Sequence, residues 1–336
     1  MLNIQESEDL EYKLYYSSIP FLVIGFIGNM LLIRIVHKTR EMHTPTNFLL
    51  ASMAASDIIT ILLWSFYFFE FAKFVCKFVV LIEISIKVSS ITLTLLAIER
   101  YNAILTPFRA GLWLTQDKIK YTICFIWFAS LVICFPEFFL KEWSETEERC
   151  IGPWTFHMNQ ASKIYMVINI TIVFLEMVTI CYCYGCLMKG LYFSNRVYSQ
   201  TERDASSEKK KLVITLMIST TLFSIAFAPV VVFYAIVTTR NNEQLDQDYE
   251  LYAILVGVFD FTFVFAVSFN PIIYGFRATK FREEFKNIIL CRRMISPLDV
   301  NHSRDRVVRS NPLNVFKHEQ FLTKTFGGNT SLTNTV

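Results

Sequence analysis

Residues 95–107 read LLAIERYNAILTP, an apolar run that closes on an acid, an arginine and an aromatic, Glu99, Arg100 and Tyr101, before Pro107 stops it. An ionisable pair at the end of an apolar helix is costly to desolvate. Such a pair is more often kept for a switch than for packing. An arginine alone could snorkel to an interface with no further role. What decides between the two readings is the company the triplet keeps along the rest of the chain.

The run that ends in this triplet begins at Cys76 and is one of seven. Of the 336 residues, 53% are hydrophobic and 15% aromatic, well above the average of a soluble domain. The apolar residues gather into stretches of roughly 20 or more, the length a helix needs to cross a ~30 Å hydrocarbon core. The predicted spans are Ser17 to His37, Asn47 to Phe71, Cys76 to Leu105, Lys118 to Leu140, Ala161 to Leu191, Lys209 to Thr238 and Tyr249 to Phe276. The fold class is therefore an all-α membrane protein, a seven-helix bundle over residues 17–276, preceded by a tail at 1–16. The acidic opening ESEDLE lacks the basic segment and small-residue cleavage site of a signal peptide, so the first span reads as a retained anchor.

Loop charge gives the orientation. With the N-terminus outside, the inner segments carry Lys38 and Arg40, then Arg109, Lys118 and Lys120, then Lys189, Arg196, Arg203 and the KKK of 209–211, then a basic tail. The outer segments are acidic, with Glu6, Glu8, Asp9 and Glu11, then Glu142, Glu145, Glu147 and Glu148, then Glu243, Asp246, Asp248 and Glu250. The net charge of +3 hides this split. After the last span, RATKFREEFKNIILC places Phe281, Phe285, Ile288 and Ile289 at helical spacing, which predicts an amphipathic helix on the membrane surface over 277–290. Residues 291–336 lack apolar periodicity and read as a disordered cytoplasmic tail. Cys291, at its start, is a palmitoylation candidate.

Cysteine usage divides by side. Cys76 heads the third span at the outer surface and Cys150 lies in the loop after the fourth, so both meet an oxidising compartment and form the natural pair. Cys124, Cys134, Cys181, Cys183 and Cys186 fall inside spans and read as small packing residues. No His or Cys spacing points to zinc, and no nucleophile-and-base or phosphate-loop signature points to an enzyme. No cofactor is implied, and nucleic acid is not among the partners.

Further residues stand one to a helix, in order. They are Asn29 in GNMLL, HTPTNFLLASMAASD ending on Asp57, the ERY of the third span, Trp127, Tyr184, Phe223 with Pro229, and NPIIY from Asn270 and Pro271 to Tyr274. This series resembles the rhodopsin-like (class A) family of G-protein-coupled receptors, of the peptide-receptor kind, from about Ser17 to Leu290. The resemblance implies a plasma-membrane receptor that binds an extracellular ligand and activates a heterotrimeric G protein. In the family the arginine is restrained by its neighbouring carboxylate and on activation extends toward tyrosines of the fifth and seventh helices. Carried over, the coupling switch is Glu99, Arg100, Tyr101, Tyr184, Asn270, Pro271 and Tyr274. Transmission falls to Phe223, Phe227, Pro229, Asn29, Asp57 and Ser89. Arrestin and a receptor kinase would act at the Ser- and Thr-containing tail.

The chain departs from the family pattern in places. Phe227 stands where a tryptophan is usual, and Glu176 where the fifth helix usually has proline. Asp57 and Ser89 match two sodium ligands, but the partner positions read Ala266 and Val267, which argues against the ion. Opsin chemistry needs a lysine in the seventh span, and there is none. Amine receptors use an aspartate where Ile82 stands, with Glu83 beside it. Ligand-facing candidates are Ile82, Glu83, Ile86, Asp260 and the loop acids Glu145, Glu147 and Glu148. The acidic outer face favours a cationic neuropeptide. An amine receptor, and behind it a seven-helix transporter, are the alternatives. Three charges inside spans, Glu83, Lys87 and Glu176, need partners at that depth. Glu83 and Lys87 are spaced i, i+4, and the resemblance implies that Glu176, two turns from Tyr184, meets the third helix near Ser90. The expectation is that Lys87 bridges both acids, with Glu83 and Lys87 turned toward neighbouring helices rather than beneath the ligand.

Overall fold

A computed structural model describes residues 4–67, 76–105, 114–145, 149–151, 160–192, 200–240, 249–277 and 279–289. Among them, eight α-helices follow in order: α1 Ile4–Lys38, α2 Pro45–Tyr67, α3 Val80–Leu105, α4 Ile119–Leu140, α5 Gln160–Tyr192, α6 Gln200–Thr239, α7 Tyr249–Arg277 and α8 Thr279–Ile289. Six helices, α1 to α6, are long and apolar enough to cross a membrane, and α7 carries a shorter apolar segment, Gly257–Ile273. Prolines at 20, 136, 229 and 271 lie inside α1, α4, α6 and α7. Spanning helices tolerate them because neighbouring helices and Ser or Thr side chains re-satisfy the freed backbone groups.

The helices pack in a ring, α1 on α2 and α7, and α7 on α6, with α6 on α5. α3 touches α2, α4, α5 and α6, so it runs through the middle. Accordingly 67% of its apolar window is buried inside the protein, against 22% for α4. The buried side of α3 carries Ser85, Lys87, Ser89, Ser90 and Thr92 among its aliphatics. That composition fits a central helix whose neighbours are protein on most sides. α4 presents Tyr121, Phe125, Phe128, Phe135 and Phe139 outward, as a helix facing lipid does.

α1 and α7 approach so closely that two glycines are required. A Cβ on Gly25 would lie 2.5 Å from Ser268 Oγ and 2.9 Å from its Cα, and one on Gly28 would lie 2.6 Å from Pro271 Cγ. Small residues at helix contacts let backbones close in and gain packing. At the Cys76 end, a 3-10 turn, Cys76–Val79, leads into α3, and a hairpin of β1 Glu142–Ser144 with β2 Arg149–Ile151 follows α4. In that hairpin Trp143 is paired with Cys150.

Some boundaries differ from the sequence reading. α1 starts at Ile4, through the acidic stretch expected to be a tail, because residues 4–19 hold Leu, Glu, Lys and Tyr with no Gly or Pro to stop a helix. α6 likewise starts at Gln200 rather than Lys209, since TERDASSEKKK is charged but helix-forming. α8 falls within the predicted 277–290, and Phe281 is buried. Cys291 and the rest of the C-terminal tail lie outside the described residues.

Candidate functional site

At the Arg100 end, α3 presents Glu99 and Arg100 side by side, and the guanidinium Nε lies 2.5 Å from the Glu99 carboxylate. The same guanidinium donates to the Thr46 hydroxyl at the start of α2. Both of its contacts therefore hold the arginine against its own helix and α2. Tyr184 of α5 does not reach it with a hydrogen bond; its hydroxyl lies 3.3 Å from Thr220 of α6. Tyr101 packs its ring 5.9 Å from that of Tyr182. The side chain of Tyr274 lies outside the described residues. Nothing local to Thr46 in the sequence signals an arginine partner 54 positions later.

The middle of the bundle is joined by a chain of polar contacts. The Asn270 amide donates to Asp57 Oδ2 at 3.0 Å, Ser89 donates to Asp57 Oδ1 at 2.9 Å, and Ser56 lies 2.9 Å from Ser89. Ser219 of α6 donates to Asn270 Oδ1 at 2.5 Å. Asn29 donates to the carbonyls of Gly25 at 2.9 Å and Val267 at 3.3 Å. Trp127 Nε1 donates to Ser52 at 3.0 Å. Asp57, Ser89 and Asn270, with Ser56 and Ser219, thus form one buried cluster across α2, α3, α6 and α7, while Asn29 and Trp127 each make a separate contact; each contact satisfies a group that would be costly alone. The residues do not fit a sodium ion. Both Asp57 oxygens already accept protein donors, and Ala266 and Val267 bring no side-chain oxygen to complete a hydrated cation's shell.

Above this network Phe223, Phe227, Phe259 and Phe263 form an aromatic cluster, with centroids of Phe223 and Phe227 at 4.8 Å and of Phe227 and Phe259 at 5.6 Å. The cluster floors a cavity of about 160 Å³. Its walls include Ile82, Glu83, Ile86, Lys87 and Asp260, all but Lys87 predicted to face a ligand. They also include Glu137 of α4, Lys141 just after it and Tyr165 of α5, which the sequence reading missed. The signal was present: Glu137 is an acid inside an apolar span with a lysine four positions on, the criterion that singled out Glu83 and Lys87.

The charge pairing in this cavity corrects the expectation. Lys141 Nζ lies 3.5 Å from Glu83 and 3.3 Å from Glu137. Lys87 forms no direct ion pair or hydrogen bond among the described residues. The reason is where α4 ends. Lys77, just before α3, donates to the carbonyls of Phe138 at 3.2 Å and Lys141 at 2.5 Å, capping α4 with a cation where its carbonyls are unpaired. That contact sets the end of α4 against the start of α3 and so places Lys141 beside Glu83. Glu176 does meet α3 where expected, accepting from Ser90 at 2.5 Å. Glu83 and Lys87 both face the cavity, because it extends from the bundle centre into the space between α3, α4 and α5.

Cys76 is disulfide-bonded, and the five span cysteines are free. Glu145 is exposed at the hairpin turn, while Glu147, Glu148 and the side chain of Cys150 lie outside the described residues. No group of three or more His, Cys, Asp or Glu suited to a metal occurs among the described residues.

A buried polar cluster thus joins α2, α3, α6 and α7, with an arginine held toward one end of α3 and a charged cavity toward the other. A family model described as 7 transmembrane receptor (rhodopsin family) matches residues 28–274. The chain belongs to that family. The receptor is 25% identical to a G-protein coupled receptor 54 of Oreochromis niloticus over 297 residues, 81% of this chain and 76% of the relative. It is 28% identical to human neuromedin-U receptor 2 over 81% of this chain and 70% of the relative, and 27% identical to human substance-P receptor over 82% and 70%. The receptor is a multi-pass membrane protein, and α7 is its seventh span.

Proposed function

We propose that this receptor recognises an extracellular peptide in the cavity between α3 and α7 and passes the signal to a heterotrimeric G protein at the Arg100 end. The observation that supports the reading is the buried polar cluster that lies between the two. The phenyl cluster includes Phe263 of α7, Asn270 of the same helix donates to Asp57 and accepts from Ser219, and α3 carries the held Arg100 near its end. A peptide is favoured over an amine because the amine position is Ile82 and because relatives carry the names of peptide receptors. The acids around Glu145 favour a cationic peptide, drawn by long-range attraction before it seats.

The orientation follows the charge split, N-terminus outside and C-terminus in the cytoplasm, with Cys150 as the partner of Cys76. Glu99 and Thr46 hold Arg100 at rest; release lets it extend toward Tyr184 and Tyr274, opening the cytoplasmic end to the G protein. The Ser- and Thr-containing tail would then serve a receptor kinase and arrestin, and Cys291 an acyl chain. The test is a second-messenger screen of cells displaying the receptor against amidated basic peptides. A dose-dependent response supports the reading, and a neutral lipid or nucleotide emerging as the best agonist counts against it.

A further inference from the structure

Lys87 is 5% exposed, lies on the cavity wall and, among the described residues, touches no acceptor. The other cavity charges are engaged. Glu83 and Glu137 share Lys141, and Asp260 has a partner of its own. Glu176 is near enough for its charge to act on Lys87, but its carboxylate is drawn to Ser90 on the same helix and makes no contact with the ammonium. An ammonium at this depth is expensive to leave without an acceptor, and the open side of Lys87 is the cavity.

We propose that Lys87 is the anchor for a carboxylate of the ligand. Its surroundings suit that chemistry. The phenyl floor of Phe227, Phe259 and Phe263 lowers the local polarity and so strengthens a charge pair formed above it. A cavity of about 160 Å³ is close to the size of one that accepts a benzene ring. The group that enters is thus an aromatic or aliphatic body bearing one carboxylate, the last residue or one acidic side chain of a larger ligand. The inference rests on the peptide reading above for the carboxylate's origin, either a free C-terminus or an Asp or Glu side chain. It makes the ligand dipolar, basic where it meets the outer acids and acidic where it meets Lys87.

The first experiment needs no peptide. The purified full-length receptor is melted with 3-phenylpropionate, its amide, or acetate. The acid should raise the midpoint by about 2 °C at several times its Kd, and the amide and acetate should not. Glu176→Gln, which removes the internal competitor, should enlarge the rise, and Lys87→Met/Glu176→Gln should abolish it while melting on its own like Glu176→Gln. Equal shifts for acid and amide, or a rise that survives in the double variant, would overturn the assignment. The second experiment compares basic peptides with a free C-terminus, with an amide, and with an amide plus one internal Asp in a second-messenger assay. A potency gain of tenfold or more for one acidic arm, lost with Lys87→Met, identifies the source. Equal potency in all three arms overturns the proposal. If the acid stabilises the receptor yet no peptide signals, the peptide reading fails and the Lys87 site stands.

Discussion

Lys141→Met should be among the most damaging single substitutions in the membrane-spanning region. Lys141 is the shared cation of two carboxylates, at 3.3 Å from Glu137 and 3.5 Å from Glu83. Exposure decides how much each contact matters. Glu137 is 3% exposed and Lys141 5%, so their pair is buried, whereas Glu83 at 27% keeps access to solvent in the cavity and contributes less. Removing one partner of a buried pair strands the other charge and costs about 3–5 kcal/mol. Methionine keeps the length and apolar stem of lysine, so packing loss is small and the cost is electrostatic. The further change Glu137→Gln removes the stranded acid and should recover half or more of the loss. The assay is thermal unfolding of the purified receptor together with surface display, for both single variants and the double. Strictly additive losses, or a Lys141→Met variant as stable as the parent, would refute the claim that these charges form one buried unit.

Gly25→Ala should cost about 1–3 kcal/mol, because its Cβ would sit 2.9 Å from the Ser268 backbone and force α1 from α7, and Ser268→Gly should recover part of the lost thermal midpoint. Cys76→Ser and Cys150→Ser should each cut surface display, reflecting a bond that contributes about 2–4 kcal/mol, with the double variant little worse than either. Additive losses would mean the two cysteines act separately. Neutralising Glu145, Glu147 and Glu148 together should weaken a basic peptide agonist, and raising ionic strength should do the same to the parent, since exposed charges are screened beyond about 8–10 Å. Unchanged potency in either measurement would remove the outer acids from recognition.

The helices and the central network were legible because each rests on a pattern that one stretch of sequence carries whole. Apolar length marks a span, and the ordered appearance of Asn29, Asp57, Trp127 and Asn270 marks the bundle. Glu176 against Ser90 was likewise readable, because the family resemblance sets which part of the third helix that turn of the fifth packs against. The pairing of Glu83 was not. Spacing along one helix says that Lys87 could reach it, but says nothing of Lys141, brought in by the cap that Lys77 places on α4. Thr46 escaped notice for the same reason, since its contact with Arg100 exists only once α2 and α3 are side by side. The helix that carries the first span runs on beyond it to Ile4, because apolar length marks only the Tyr15–Lys38 span while helix propensity continues through the charged residues before it.

Guanine-nucleotide exchange on a purified heterotrimeric G protein, driven by the receptor in lipid nanodiscs, tests the central claim most directly. The parent receptor, with an active basic peptide, should accelerate exchange, and Arg100→Ala should bind that peptide and reach the cell surface normally while losing the acceleration. Equal exchange from parent and Arg100→Ala, or none from a parent that binds the peptide, would contradict the account.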